Sequence, residues 1–360
     1  MPAPGTIVLL CLLLGQSLPN ETIPADLKAP AEIKAAFHKL LDRPKVPLDV
    51  HTFSSVADET PGLVVERLSF ASETRADGVT ERVPTLIVRP KESSRRRPAV
   101  IVLHGTGGSK DAMISWLEEL AKRGIIGVAI DARFHGDRSG GAKGSAAYAA
   151  AITRAWKTKP GEPMTHPFYY DTCWDVWRTL DYLETRDDVD PKKLGMIGIS
   201  MGGIETWLAG AVDERVAVAV PAIAVQSFTW GLEHDAWHGR ANTIKAAHEQ
   251  AAKDTGEERV NARVCLKLWS KVTPGILGPF DCPSMIRLFA GRPLLILSGE
   301  KDLNCPIAGA KLAFAEAEGA YKDAGASDRL KIMVAQGVGH AVTKEQHQAA
   351  LDWFVQWLKP

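Results

Sequence analysis

The chain has 360 residues, 45% hydrophobic and 24% charged, and its 43 basic residues are balanced by 43 acidic ones. A net charge of zero argues against the clustered positive surface on which nucleic-acid binding rests, and the one basic cluster, Arg95-Arg96-Arg97, reads as a solvated turn before a strand. The composition is that of an ordinary globular protein long enough to bury a large core, in one domain if the fold is α/β.

In chain order, the first feature is an apolar run from Ile7 to Leu14. It is too short to span a bilayer as a helix, which takes about twenty residues. Its length suits the apolar part of a signal peptide, with Gly15 and Ser17 as small residues before a cleavage site, although the basic start of such a peptide is missing. The expectation is a signal peptide over 1–19, a main domain over 20–360 and a secreted or periplasmic protein, with a cytoplasmic one as the alternative. No stable membrane span is expected.

Next, "AEIKAAFHKLL" (Ala31 to Leu41) predicts a short amphipathic helix stopped by Pro44. "GLVVERLSF" and "RVPTLIVRP", separated by a polar stretch, predict antiparallel strands joined by a hairpin. From Pro98 the pattern changes. "PAVIVLHG", "GIIGVAIDAR", "LGMIGIS", "VAVAVPAI", "RPLLILSGE" and "LKIMVAQG" are apolar runs without alternation, as expected of strands buried on both faces of a parallel sheet. Helical stretches fall between them: Met113 to Lys122, Asp171 to Thr185, Ile204 to Val212 and Ala308 to Ala320, with Thr343 to Leu358 closing the chain. Alternating strands and helices predict a doubly wound, mostly parallel α/β sheet preceded by antiparallel strands.

Two connections exceed the usual two to six residues, and long connections tend to be functional. One runs from His135 to Tyr170. The other, about residues 227–289, has Val260, Val264, Leu268 and Val272 on one helical face and predicts a helical cap inserted between two strands.

The stretch "KKLGMIGISMGGIETWLAG" carries the chemistry. Gly198-Ile199-Ser200-Met201-Gly202 fits G-x-S-x-G with a strand before it and a helix after it. A serine there sits in a strained turn so that its hydroxyl stands above the sheet edge, and glycines two positions either way avoid collision with neighbouring backbone. A serine nucleophile needs a base, and the base an orienting acid. Asp302 follows the strand in "RPLLILSGEKDLNCP" and His340 follows the strand in "LKIMVAQGVGHAV", so both reach the carboxyl edge of the sheet, where catalytic groups of open α/β folds collect. Glu300 is the competing acid. Oxyanion donors are expected at the backbone N–H of Met201 and, from the loop "LHGTGG", of Thr106, with Gly107 second. His104 reads as a brace for that loop.

These motifs resemble the α/β-hydrolase superfamily, and within it the dienelactone hydrolase-like and acetyl xylan esterase-like esterases. The resemblance rests on "LHGTGG", "DARFHGDR", "GISMGG", "SGEKDLNCP" and "GVGH", in that order, over roughly Val64 to Pro360. It implies an α/β-hydrolase fold and a serine carboxylesterase working through an acyl-enzyme on Ser200, with catalytic residues Ser200, Asp302 and His340, no cofactor, and a small-molecule or carbohydrate ester as substrate. True dienelactone hydrolases use cysteine where this chain has Ser200, which favours ordinary ester hydrolysis. "DARFHGDR" has Phe134 where the family pattern has glycine.

Other readings compete. A serine peptidase of the prolyl oligopeptidase type shares the motifs but usually carries a β-propeller upstream, and a binding protein on the same fold would not need the three residues intact. His234 and His238 in "EHDAWH" suggest a zinc motif with Asp235 in place of glutamate; without a third ligand, no metal is expected. Tyr169, Trp230, Trp237 and Trp269 are candidates for a substrate pocket wall, against packing inside the cap. Asp171 is expected to cap its helix. The cysteines Cys11, Cys173, Cys265, Cys282 and Cys305 show neither CxxC nor zinc spacing and read as free thiols, with a Cys265–Cys282 bridge as the alternative.

Overall fold

A computed structural model describes residues 28–57, 60–92 and 95–360. The expected signal peptide over 1–19 and Cys11 lie outside the described residues. A nine-stranded sheet forms the centre. Its strands are β1 (His51–Ala57), β2 (Leu63–Thr74), β3 (Thr80–Pro90), β4 (Arg97–Leu103), β5 (Ile126–Ile130), β6 (Val189–Ile199), β7 (Val216–Ala222), β8 (Leu294–Gly299) and β9 (Leu330–Ala335). They lie in the spatial order β1-β2-β3-β5-β4-β6-β7-β8-β9. The pairs β1–β2, β2–β3 and β3–β5 are antiparallel, and the strands from β5 across to β9 run parallel. This is the mostly parallel α/β-hydrolase sheet with antiparallel N-terminal strands that the sequence predicts.

Why the parallel strands carry unbroken apolar runs is visible in β4. Side chains alternate across a strand, and both faces are covered. Val100 and Val102 pack under α2 (Ile114–Lys122) and the closing helix, with Leu117, Leu120, Leu351 and Phe354. Ile101 and Leu103 face the larger core on the other side. That side is covered by α1 (Pro30–Leu41), α3 (Ala146–Lys157), α4 (Tyr170–Glu184) and α5 (Met201–Val212). Every residue of α5 is buried.

Between β7 and β8 the chain leaves the sheet and forms α6 (Phe228–Glu233), α7 (His238–Asn242), α8 (Lys245–Asp254), α9 (Ala262–Val272) and α10 (Cys282–Ile286). The sequence signalled only α9, whose Val264, Leu268 and Val272 are buried as its spacing requires. The chain then completes α11 (Ile307–Asp323) and α12 (Lys344–Leu358), the latter opened by a Thr343–Gln346 capping box. Among the described residues no helix is long and apolar enough to cross a membrane.

Outside the insertion between β7 and β8, two further elements went unread in the sequence. β1 is an edge strand with almost every side chain exposed, so it carries no apolar pattern. α3 lies inside the long connection after His135, behind a glycine-rich lead; its buried Tyr148, Ala149, Ile152 and Ala155 form an ordinary helical face. Asp171 does not cap α4. That position is Tyr169, held at φ 70°, while Asp171 sits inside the first turn, ion-paired with Arg43 and accepting the His166 N–H at 3.1 Å.

Candidate active site

Ser200 stands between β6 and α5 with φ 54° and ψ −110°, a conformation that costs a non-glycine residue energy and persists only when its surroundings enforce it. Two contacts enforce it. Ser200 N–H donates to Ala222 O at 2.9 Å, and Gly202 N–H donates to His104 O at 3.2 Å. The flanking glycines are required by space: a Cβ on Gly198 would stand 2.0 Å from Gly202 O, and one on Gly202 2.5 Å from Leu103 O. The turn can be this tight only because both lack side chains.

His340 follows β9 and Asp302 follows β8. His340 Nε2 lies 2.7 Å from Ser200 Oγ, and its Nδ1 lies 2.7 Å from Asp302 Oδ2. A carboxylate can only accept, so Nδ1 carries the proton and Nε2 is left to accept from the serine hydroxyl. The second Asp302 oxygen accepts from Asn304 N–H at 2.8 Å and Cys305 N–H at 2.9 Å, which fixes the carboxylate plane. The Asp302 side chain is 1% exposed and that of His340 24%. Glu300 is exposed and spends Oε2 on Gly337 N–H, at 2.7 Å, so Asp302 is the acid that meets the imidazole.

Met201 N–H belongs to the first turn of α5, where a backbone donor has no partner within the helix. Thr106 is half-buried in the turn closed by Gly108 N–H on Gly105 O, at 3.0 Å. A Cβ on Gly105 would come 3.6 Å from Ser200 Cβ, so this turn lies against the serine. His104 braces it: Nε2 accepts Ala132 N–H at 3.1 Å and Nδ1 bonds Gly105 O at 2.8 Å. Burial holds the His104 imidazole below its ordinary pKa, in keeping with a neutral ring that donates at one nitrogen and accepts at the other.

The wall behind this turn is the "DARFHGDR" stretch. Asp131 Oδ1 accepts Lys110 N–H at 2.8 Å, and Oδ2 meets Lys110 Nζ at 2.9 Å and Asp137 N–H at 3.0 Å. Phe134, where the family pattern has glycine, indeed adopts φ 63°. Arg133 and Arg138 both reach buried Asp175, with nitrogen–oxygen distances of 2.8 and 2.7 Å. Burial alone would raise the Asp175 carboxyl, but the two guanidinium groups overrule it and hold it well below the usual carboxylate range.

The pocket candidates divide. Trp269 is buried inside the inserted helices, where it packs with its Nε1 donating to His248 Nε2 at 3.0 Å and its ring edge-on to Phe228 at 5.4 Å. Phe280 likewise packs, edge-on to Phe37. Tyr169 is buried against Phe168, with ring centroids 4.0 Å apart. Trp230 is half-buried and Trp237 buried, and their rings stack on His234 and His238. Those two histidines do not share a helix face, because Asp235, at φ 53°, breaks the chain between α6 and α7. Both are exposed, and their Nδ1 atoms bond the backbone oxygens of Trp230 and Asp235.

Among the described residues the trio able to hold a cation is Asp302, Cys305 and His340, whose ligating atoms lie within 4.8 Å of one another. Asp302 and His340 are already bonded to each other, and burial pushes the Cys305 thiol up to about 12. Cys173, Cys265, Cys282 and Cys305 are all free and buried, so Cys265 and Cys282 form no bridge. Sequence reasoning missed Arg240 of α7, a fully buried arginine beside the Asp302 loop; "AWHGRAN" gives no pattern that would single it out.

A serine raised on a strand–turn–helix elbow, with a histidine and an aspartate brought to it by the loops after the last two strands of this sheet, is the arrangement of an α/β-hydrolase. The acetyl xylan esterase (AXE1) family model matches residues 40–228, just over half of the chain, and the chain belongs to that family; it is a carboxylic ester hydrolase. The fungal glucuronyl esterase model matches residues 165–325. A Bacillus subtilis chain named as a hydrolase, YtaP, is 26% identical over 291 residues, covering 77% of this chain and 84% of that one. Among solved structures, a glucuronoyl esterase from Solibacter usitatus superposes with TM-score 0.60 at 17% identity over 95% of this chain and 99% of its own. Acetyl xylan esterase 1 from a Thermoanaerobacterium species superposes with TM-score 0.62 at 17% identity over 92% and 95%. These structural likenesses concern the fold.

Proposed function

We propose that Ser200 is the nucleophile, His340 the general base and Asp302 its orienting acid, in hydrolysis of carbohydrate esters through an acyl-enzyme. The observation that carries this is the unbroken chain from Ser200 Oγ through His340 to Asp302, with two contacts of 2.7 Å. His340 Nε2 takes the hydroxyl proton as Ser200 Oγ attacks the ester carbonyl, and returns it to the departing alcohol. Met201 and Thr106 N–H groups serve as donors to the tetrahedral oxyanion, which in such sites is worth about 3–4 kcal/mol per donor. Water then attacks the acyl-enzyme by the same proton route, releasing the acid and restoring Ser200.

The carbohydrate substrate class rests on the names of the matching families, acetyl xylan and glucuronyl esterase. Helices α6 to α10 act in this reading as the cap of the site, with Tyr169, Trp230 and Trp237 towards substrate. The run Ile7 to Leu14 directs export to a secreted or periplasmic location, which N-terminal sequencing of the mature protein tests. Ser200→Ala tests the chemistry: hydrolysis of a short-chain ester should fall by at least about a thousandfold, because the triad acts as a unit. Activity within tenfold of the parent would place the nucleophile elsewhere.

A further inference from the structure

Arg240 is 1% exposed and lies on α7, one of the helices inserted between β7 and β8. A buried arginine ordinarily faces a carboxylate, since removing its charge from water costs several kcal/mol unless an opposite charge answers it. Among the described residues Arg240 has no ion-pair partner. Its acceptors are neutral: Nη2 donates to Asn304 O at 3.2 Å and to Cys305 Sγ at 3.0 Å. With the Gln226 amide turned to suit its neighbours, the Gln226 oxygen accepts from Arg240 Nε at 3.1 Å while its nitrogen donates to Asn304 O at 2.8 Å. Nη1 is buried without a well-formed hydrogen bond, and the guanidinium's remaining neighbours, the Tyr169 hydroxyl and the Phe228 ring at 5.9 Å, are uncharged as well. As a device for stability alone this is a poor arrangement, and such exceptions concentrate where function demands them.

The acceptors share a location. Asn304 and Cys305 are the two residues whose N–H groups hold Asp302 Oδ1. Arg240 therefore grips the far side of the short loop that fixes the carboxylate plane. A second contact lies one residue away: a Cβ on Gly239 would stand 2.1 Å from Leu303 O and 2.6 Å from Asn304 Oδ1, so the backbone of α7 rests directly on the same loop. Cys305 Sγ in turn donates to Ile223 O at 3.1 Å, just beyond Ala222, which receives the Ser200 N–H.

We propose that Arg240 is a positioning residue that fastens the inserted helices to the Asp302 loop, so that the acid is held in line with His340 only while α7 is seated. This rests on the reading of Ser200, His340 and Asp302 as nucleophile, base and acid. Arg240 touches none of the reacting atoms; its effect passes through Asn304 and Cys305. Tilting a catalytic group by about 1 Å costs on the order of a hundredfold. The expected signature is therefore a fall in turnover for every ester, however small, with binding of the smallest unaffected. A residue of the pocket wall would instead discriminate between substrates by size.

The test uses the full chain, a small fluorophosphonate that labels activated serine, and p-nitrophenyl acetate. Arg240→Met keeps the bulk and removes the charge and every donor. It should slow Ser200 labelling and lower kcat together, each by about tenfold to a hundredfold, while KM for the acetate stays within about threefold. Arg240→Lys, with the charge kept but fewer donors, should fall between. Parental kcat and labelling in Arg240→Met, even with a lowered Tm, would overturn the proposal. Should Arg240→Met not fold, Gln226→Leu removes the amide that joins Arg240 to Asn304 O and should cost about tenfold in both rates; parental rates there overturn it equally. Failure of the parent protein to label at Ser200 is a different result, and removes the triad reading on which this one stands.

Discussion

Replacing Asp302 by asparagine changes one oxygen to an amide nitrogen, and the surroundings dictate which. Oδ1 accepts two backbone donors, Asn304 N–H and Cys305 N–H, at 2.8 and 2.9 Å. If the amide oxygen stays there, the amide NH2 points at His340 Nδ1, which must then accept, and the ring proton moves to Nε2. A protonated Nε2 facing Ser200 Oγ cannot take the serine proton. The opposite orientation restores the tautomer but sets the NH2 against two N–H donors. Leaving a buried donor unmade costs about 1–3 kcal/mol, so this orientation is disfavoured by roughly 2–6 kcal/mol. At about 1.4 kcal/mol for each factor of ten, kcat should fall by roughly thirtyfold to twenty-thousandfold. The assay is p-nitrophenyl acetate hydrolysis near pH 8 with Tm recorded in parallel, and Glu300→Gln as comparator, expected within about threefold of the parent. A loss below tenfold in Asp302→Asn at unchanged Tm would refute the reasoning. A larger loss in Glu300→Gln would move the acid to that position.

Trp269→Ala opens a cavity beside Phe228 and leaves His248 Nε2 without its donor; it should cost about 3–5 kcal/mol in denaturant unfolding, with equal proportional effects on short and long esters. Trp237→Ala should instead alter acyl-chain preference more than acetate hydrolysis, and loss of stability with no change in preference would assign it to packing alone. Asp175→Asn leaves Arg133 and Arg138 short of a buried partner and should destabilise by about 3–5 kcal/mol at pH 7. Because the folded-state pKa of Asp175 is depressed, its contribution is complete above the unfolded value of about 4 and is lost as pH falls towards the folded one. Stability between pH 5 and 3 should therefore fall less steeply in Asp175→Asn than in the parent, and parallel curves would deny Asp175 that role.

The part of the molecule readable in advance is the part where local and global demands coincide. Ser200 announces itself because a strained elbow on a buried strand admits only glycine at 198 and 202, and these constraints are written within five residues. Asp302 and His340 were legible because strand ends are marked by the change from apolar run to glycine and charge. Trp269 was left between two readings because an aromatic facing a pocket and one facing a helix core look alike in one dimension; its partner, His248, lies on α8, beyond the reach of periodicity. β1 escaped because an exposed edge strand has no buried face to pattern it. Arg240 escaped for a deeper reason: its partners are backbone oxygen, thiol and amide groups, which no residue-type rule associates with arginine.

Ser200 and His340, the nucleophile and base of the proposed mechanism, are anchored unequally. Ser200 directly follows β6, which has a strand on each side, whereas His340 follows β9, which has a neighbour on one side only. Edge elements open locally at lower free energy than central ones. Transient fraying at β9 can therefore disconnect the base while the elbow and most of the sheet remain intact. Warming the protein should extinguish turnover before far-ultraviolet dichroism changes, and amide protons of β9 should exchange ahead of those of β6. On this reading a six-residue strand at the margin of the sheet sets the temperature at which catalysis fails, and stabilising that margin should extend the working range without touching the serine.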